Sequence, residues 1–359
     1  MMRRPFRRAQ TAAPYRRGAR TRHTLAILTV LLAASVAFVG QASAADEQVG
    51  ESASVDSLLA RADRALGDGD AASAEVLFSE ALSMESGEHR ALCGLAIVGL
   101  IEDDPDKAIK YARKAIKKDK KNSRYHFMLA NGYGMKAQRG GFRAMFYGGK
   151  FKKECELAVE YDPENVQAHL ALMSFYAHAP SIMGGGMEKA RERAETIASL
   201  DAYYGHVAHA MIAKREEDFV AAESSYLAAA AVDSQNADGW SLLGTFYIDV
   251  ERPADAVPVF ERVRELVPDD LVAVYQLARA RAEAGDDLAA AEEGFKAYIA
   301  AEDRPEEPEV ASAHWRLALV YEGQGRYAEA MAELDEAIRL NPEHVMAVES
   351  KERLGAKHP

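Results

Sequence analysis

Two stretches of this 359-residue chain lie on one another without a gap: ADGWSLLGTFYIDVERPADAVPVFERVRELVPDD (237–270) and ASAHWRLALVYEGQGRYAEAMAELDEAIRLNPEH (311–344). Each is 34 residues long, with two apolar runs at helical spacing, a polar break between them and a late proline, Pro268 or Pro342. A fixed period of this size restricts the fold more than composition does. Each copy is one helix–turn–helix that cannot bury its apolar face alone, so the copies must stack. No stretch alternates with period two for long enough to suggest a sheet.

The first copy carries Trp240, Leu243, Gly244 and Tyr247 in its leading helix and Ala256 and Phe260 in its trailing one. The second has Leu317, Ala318, Tyr321, Ala330, Leu334 and Ala337 at matching offsets. This resembles the tetratricopeptide repeat, whose small residues at the eighth, twentieth and twenty-seventh positions let helices approach while large ones fill the gap to the next unit. The phase extends backward to units opening at Tyr203, Val166, Ser123, His89 and Val55, and forward to one at Leu271. That makes about eight units over 55–344. The resemblance implies an all-α, right-handed α-solenoid, with residues 345–359 as a capping helix and tail that cover the last apolar face.

The period breaks in two adjacent units. Between Tyr133 and Ala158 there are about nine residues too many, falling on GGFRAMFYGGKFKK (140–153), and AHAPSIMGGGMEKA (177–190) adds about five. The expectation is an insertion near 136–149 that enlarges the turn between two helices, and another near 177–187, both on one side of the array and able to touch. The first lacks the spacing and the Ser or Thr of a phosphate loop. Its Phe142, Arg143, Phe146, Tyr147 and Lys150 form either an aromatic, basic recognition loop or a short helix folded back on the array. A third lengthening, EDRPEEPEV (302–310), reads as an acidic, proline-rich loop.

Charge is uneven. Residues 1–44 hold eight arginines and no acid, so the rest of the chain carries −20 rather than the overall −12. The arginines precede LAILTVLLAASVAFVG (25–40) and a small-residue site, Ala42-Ser43-Ala44, as in a secretory signal peptide; the alternative is an uncleaved anchor. Residues 45–54 then act as a linker, and the mature chain is expected in the periplasm or outside the cell. From Lys107 to Lys153 there are fifteen Lys and Arg against one acid, Asp119. Lys110, Arg113, Lys114, Lys117, Lys118 and Lys121 recur at helical spacing and form a stripe, either a solvated face or a surface for anionic lipid, cell-wall polymer or an acidic protein. Nucleic acid matches the charge but not the compartment. Cys93 and Cys155 fall in helices that should not be neighbours, so buried free thiols are expected rather than a disulfide.

His126, His169 and His206 share the fourth position of three consecutive units, and His178 lies in the second insertion. Zinc would need three or four converging ligands. Trp240 holds the same position in its unit, so a ring filling a packing slot is the simpler account, and no metal or cofactor is expected. No nucleophile elbow, HExxH or paired-carboxylate motif appears, which argues against an enzyme. The resemblance implies an inner groove lined by positions two, five, nine, twelve and thirteen of each first helix. Here these include Phe127, Asn131, Met135, Leu170, Tyr204, Met211, Tyr275, Arg279 and Trp315, an apolar and aromatic set suited to a peptide or another protein. The expected function is a non-catalytic interaction scaffold of the cell envelope, with a peripheral binder of anionic surfaces as the alternative.

Overall fold

The computed structural model describes residues 54–302, 304–305 and 307–357; the stretch expected to act as a signal peptide, the expected linker up to residue 53 and the Phe142 side chain lie outside the described residues. The described residues form seventeen α-helices and one short 3-10 turn. In chain order the pairs are α1 (Val55–Gly67) with α2 (Ala71–Met84), α3 (His89–Ile101) with α4 (Pro105–Lys118), and α5 (Ser123–Gln138) with α6 (Gly141–Tyr161). There follow α7 (Val166–His178) with α8 (Met187–Leu200), α9 (Ala202–Arg215) with α10 (Phe219–Val232), and α11 (Ala237–Asp249) with α12 (Pro253–Leu266). The last are α13 (Leu271–Ala284) with α14 (Leu288–Ala300), α15 (Val310–Gly323) with α16 (Tyr327–Leu340), and a single α17 (Val345–Lys357). None of these helices is long and apolar enough to cross a membrane.

Short polar side chains begin many of these helices by accepting from the otherwise unpaired first-turn N–H groups. Asp70 accepts from Ser73 N, Asp201 from Tyr204 N and Asp287 from Ala290 N. Inside most pairs, alanines at the twentieth or twenty-seventh position set the spacing. Ala74, Ala81, Ala108, Ala115, Ala330 and Ala337 have no exposed surface. Rings fill what the alanines leave open. The Phe260 ring lies so close to Gly244 that a Cβ there would meet it at 2.7 Å.

Each helix packs on the next in sequence, and most first helices also touch the first helix of the following unit: α1 with α3, α3 with α5, α7 with α9, α11 with α13 and α13 with α15. No second helix makes a comparable contact with the next second helix. The array therefore curves with its first helices on the inside and its second helices fanned outward. The single helix α17 covers the last unit with Ala347, Ser350 and Leu354.

The first insertion is not the enlarged turn its glycines suggest. The turn is only Arg139-Gly140, and the extra residues lengthen α6 to 21 residues. Gly140 and Gly141 take φ of +78° and +66°, a left-handed turn that few other residues make cheaply. Gly148 and Gly149, expected to break a helix, lie inside it. A Cβ on Gly148 would stand 2.8 Å from the Met183 methyl, so the glycine admits a side chain of the second insertion. That insertion folds as the 3-10 turn Ser181–Met183 ending in Gly184 at φ +88°. The two insertions are thus in contact.

Candidate interaction surfaces

On the inner side, burial divides the residues the repeat register assigns to the groove. Phe127, Met135, Leu170, Asn131 and Tyr275 are buried, whereas Tyr204, Met211, Arg279 and Trp315 are half-exposed. The first five are a correction: neighbouring units close over them, so they are packing residues in this conformation. Tyr275 stacks edge-on against Phe295, and its hydroxyl accepts from Arg316 Nε at 2.9 Å. The Trp315 indole N–H donates to Ser350 Oγ of α17 at 3.1 Å, so the capping helix occupies part of the groove at that end. Arg279 is turned back along its own helix onto Glu283 at 2.9 Å.

Units three to five differ. Asn131, at 2% exposure in the middle of α5, has no partner for its side-chain nitrogen. One unit on, the Gln167 side-chain oxygen of α7 is also buried and unpaired, near the Tyr204 phenol of α9. Burial raises the pKa of that phenol, so it stays protonated. An unpaired buried polar atom costs about 1–3 kcal/mol. Two of them, one a donor and one an acceptor, lie on first helices of adjacent units. Sequence reasoning picked out Asn131 but not Gln167, although its second-position register was available.

On the outer side the basic stripe is exposed, but it is not one helix: α4 ends at Lys118, and Lys121 belongs to the following turn. Lys110 and Lys114 flank the Tyr111 ring at 4.9 and 5.2 Å. Arg113 donates to the Tyr133 hydroxyl of α5 at 2.7 Å, and the Tyr133 ring stacks on Tyr147 of the lengthened α6. There Lys150 Nζ stands 4.0 Å from the Phe146 ring, 5.4 Å from Tyr133 and 5.5 Å from Tyr147. Tyr147 also lines a shallow cleft of about 240 Å³ with Asp106, Lys136, Arg139 and Arg143. Lys136 pairs with Asp106, and Arg139 with Asp103 at 3.3 Å.

Two of the fourth-position histidines, His126 and His169, fill buried packing slots, each in its own way. His126 has both ring nitrogens on acceptors, Nδ1 at 2.7 Å from Glu154 and Nε2 at 3.0 Å from the Lys120 carbonyl. Burial opposes its charged form, but the Glu154 carboxylate and that carbonyl outweigh it and raise the pKa. His169 donates from Nε2 to the Pro163 carbonyl at 2.9 Å and accepts from Arg193 on Nδ1 at 3.2 Å. Burial and the guanidinium lower its pKa, despite the carbonyl. Among the described residues no three His, Cys, Asp or Glu side chains converge as a metal site. Cys93 and Cys155 are buried free thiols, as the register indicates, and burial pushes Cys93 up to about 11.

Family models described as tetratricopeptide repeat match residues 59–123, 207–270 and 244–305 in one case and 311–344 in another. Together they cover more than half of the chain and leave out 124–206, where both insertions fall. No curated protein is a significant match. Among solved structures, the hetero-tetramer Cut9–Hcn1 of the APC/C is similar with a TM-score of 0.52 at 13% identity, over 90% of this chain and 59% of that one. This chain thus spans well under two thirds of that relative. YrrB, described as having an unusual peptide-binding site, aligns at TM-score 0.34 and 20% identity over 68% of this chain and 100% of its own. A tetratricopeptide repeat protein from Parabacteroides merdae gives 0.40 and 14% over 84% and 98%. With eight helix pairs in the expected register and family-model matches over more than half of its length, the chain belongs to the tetratricopeptide repeat family.

Proposed function

We propose that this protein is a non-catalytic scaffold that holds an extended peptide segment of another protein against the inner face of units three to five. Repeat arrays of this kind present concave surfaces to proteins and peptides. One observation carries the reading here: the unpaired nitrogen of Asn131 and the unpaired oxygen of Gln167 lie on the first helices of consecutive units, both covered in this conformation, so a peptide meets them only where units three and four part. A peptide backbone offers one carbonyl and one N–H per residue, the complement of that pair. Tyr204 and Met211 supply half-exposed apolar surface beside them.

The test is selection of peptides from a random display library on the purified chain. Peptides that bind should lose affinity about tenfold or more on Tyr204→Ala and Met211→Ala, in line with removal of a buried contact. They should also weaken on Asn131→Leu, although Leu relieves an unpaired buried group and so should not lower thermal stability. Failure to enrich any peptide, or equal affinity across the three variants, would overturn the assignment. We also place the protein in the cell envelope, on the arginine-rich, apolar and small-residue sequence of 1–44. Protein recovered from its own cells should then have a mass that begins at Ala45; a mass that retains residues 25–40 would indicate an anchor instead.

A further inference from the structure

We propose that the two insertions together form a tip that docks on an anionic phospholipid bilayer. In this arrangement Met145, Phe146 and Ile182 enter the headgroup boundary, and Arg143, Lys150 and Lys153 meet lipid phosphates. The proposal goes beyond the inner-face reading, since the tip lies on the second-helix side of the array and uses none of the same residues.

The apolar side chains are out of place on a monomer in water. Met145 is 51% exposed, Phe146 55% and Ile182 88%. They come from the two insertions, and the contact of Met183 with Gly148 brings the second insertion against α6, on the side of the helix nearer Met145. They protrude and line no groove. A protein partner would need a socket shaped for each of them, whereas a bilayer boundary accepts any protruding apolar group.

Charge selects the kind of bilayer. Arg143, Phe146, Lys150 and Lys153 follow one another at spacings of three, four and three along α6, so they share one face of the helix. Among the described residues, no carboxylate pairs with Arg143, Lys150 or Lys153 at salt-bridge distance. Lys150 is instead held over the Phe146 ring, which keeps the cation and the apolar group together. The unpaired cations continue through Arg113, bonded to Tyr133, onto the exposed stripe of α4. A helix with apolar and basic groups on its outward face binds anionic membrane surfaces and not zwitterionic ones.

The experiment uses the full chain carrying Ile182→Cys labelled with an environment-sensitive fluorophore. Cys93 and Cys155 are buried, so the label is confined to the tip. Emission should shift to the blue on phosphatidylcholine vesicles containing about 30 mol% phosphatidylglycerol, and much less on pure phosphatidylcholine. Arg143→Gln and Lys153→Gln should each weaken the response roughly fivefold, the effect of about 1 kcal/mol per surface cation. Both residues are exposed, so thermal unfolding should not move. An apolar N-terminal segment bound to vesicles would act equally in all variants and would leave those differences intact. A probe that stays in water on anionic vesicles overturns the proposal. So does an equal response to both vesicles, or a shift produced by polyglutamate but not by lipid, which would assign the tip to an acidic protein.

Discussion

Two histidines at the same repeat position, 43 residues apart, face opposite electrostatic problems. His126 has acceptors on both nitrogens and favours the imidazolium; His169 has an acceptor on one side and a guanidinium on the other and favours the neutral ring. The slot itself was legible in the sequence, since the fourth position holds a tryptophan in the clearest unit. The protonation was not, because it depends on Glu154 from the lengthened α6 and on a carbonyl in a turn. The consequence for pH follows from the direction of the shift. A pKa raised above the ordinary 6.5 gives His126 a stabilising contribution that is complete below that value and fades as pH rises through the folded-state value. His126→Gln should therefore cost about 2 kcal/mol near pH 5.5 and clearly less near pH 8.5, read from denaturant titrations at each pH. Equal losses at both would mean the ring acts by packing alone.

Among elements, glycine shows both what local sequence reveals and what it hides. The pair Gly148-Gly149 reads as a helix break, and by propensity each glycine costs about 1 kcal/mol relative to alanine. The helix runs through both because the missing side chain at Gly148 is filled by Met183, and nothing near residue 148 in the sequence announces that contact. Gly239, in contrast, falls at the third position of its unit and belongs to the packing. A Cβ there would come within 2.8 Å of the Ala230 Cα, and a backbone atom cannot step aside. Propensity favours Gly239→Ala by about 1 kcal/mol, but overpacking typically costs 1–3 kcal/mol, so the net change should be destabilising. Gly149→Ala, which meets nothing within 4 Å, should be neutral or stabilising. Thermal melts of the two variants would check the contrast.

Across the whole molecule the apolar core falls into three clusters rather than one. They span Leu58 to Ile212, Ala210 to Ala280, and Tyr275 to Leu354. Stability in such an array is a sum of units and nearest-neighbour interfaces. Leu334→Ala removes a side chain that is 2% exposed, which costs about 2–5 kcal/mol in a well-packed core. Hydrogen exchange should therefore rise over residues 275–354 and change little over 58–212; a uniform rise would show one cooperative unit. The fold at this scale was readable from a 34-residue period because the period is the packing. The groove was less so. Register says which residues face inward, but curvature decides which of them the neighbouring units cover, as Phe127 and Leu170 are covered and Tyr204 is not.

That curvature also makes the molecule a spring. Its inner edge is a row of helices most of which touch the next, and its outer edge is a row that does not. Drawing the two ends apart straightens the arc by parting the inner row, while the alanine contacts inside each pair stay closed. Under tension the protein would lengthen first by unbending and only later by coming undone, and on release it would return to its original arc.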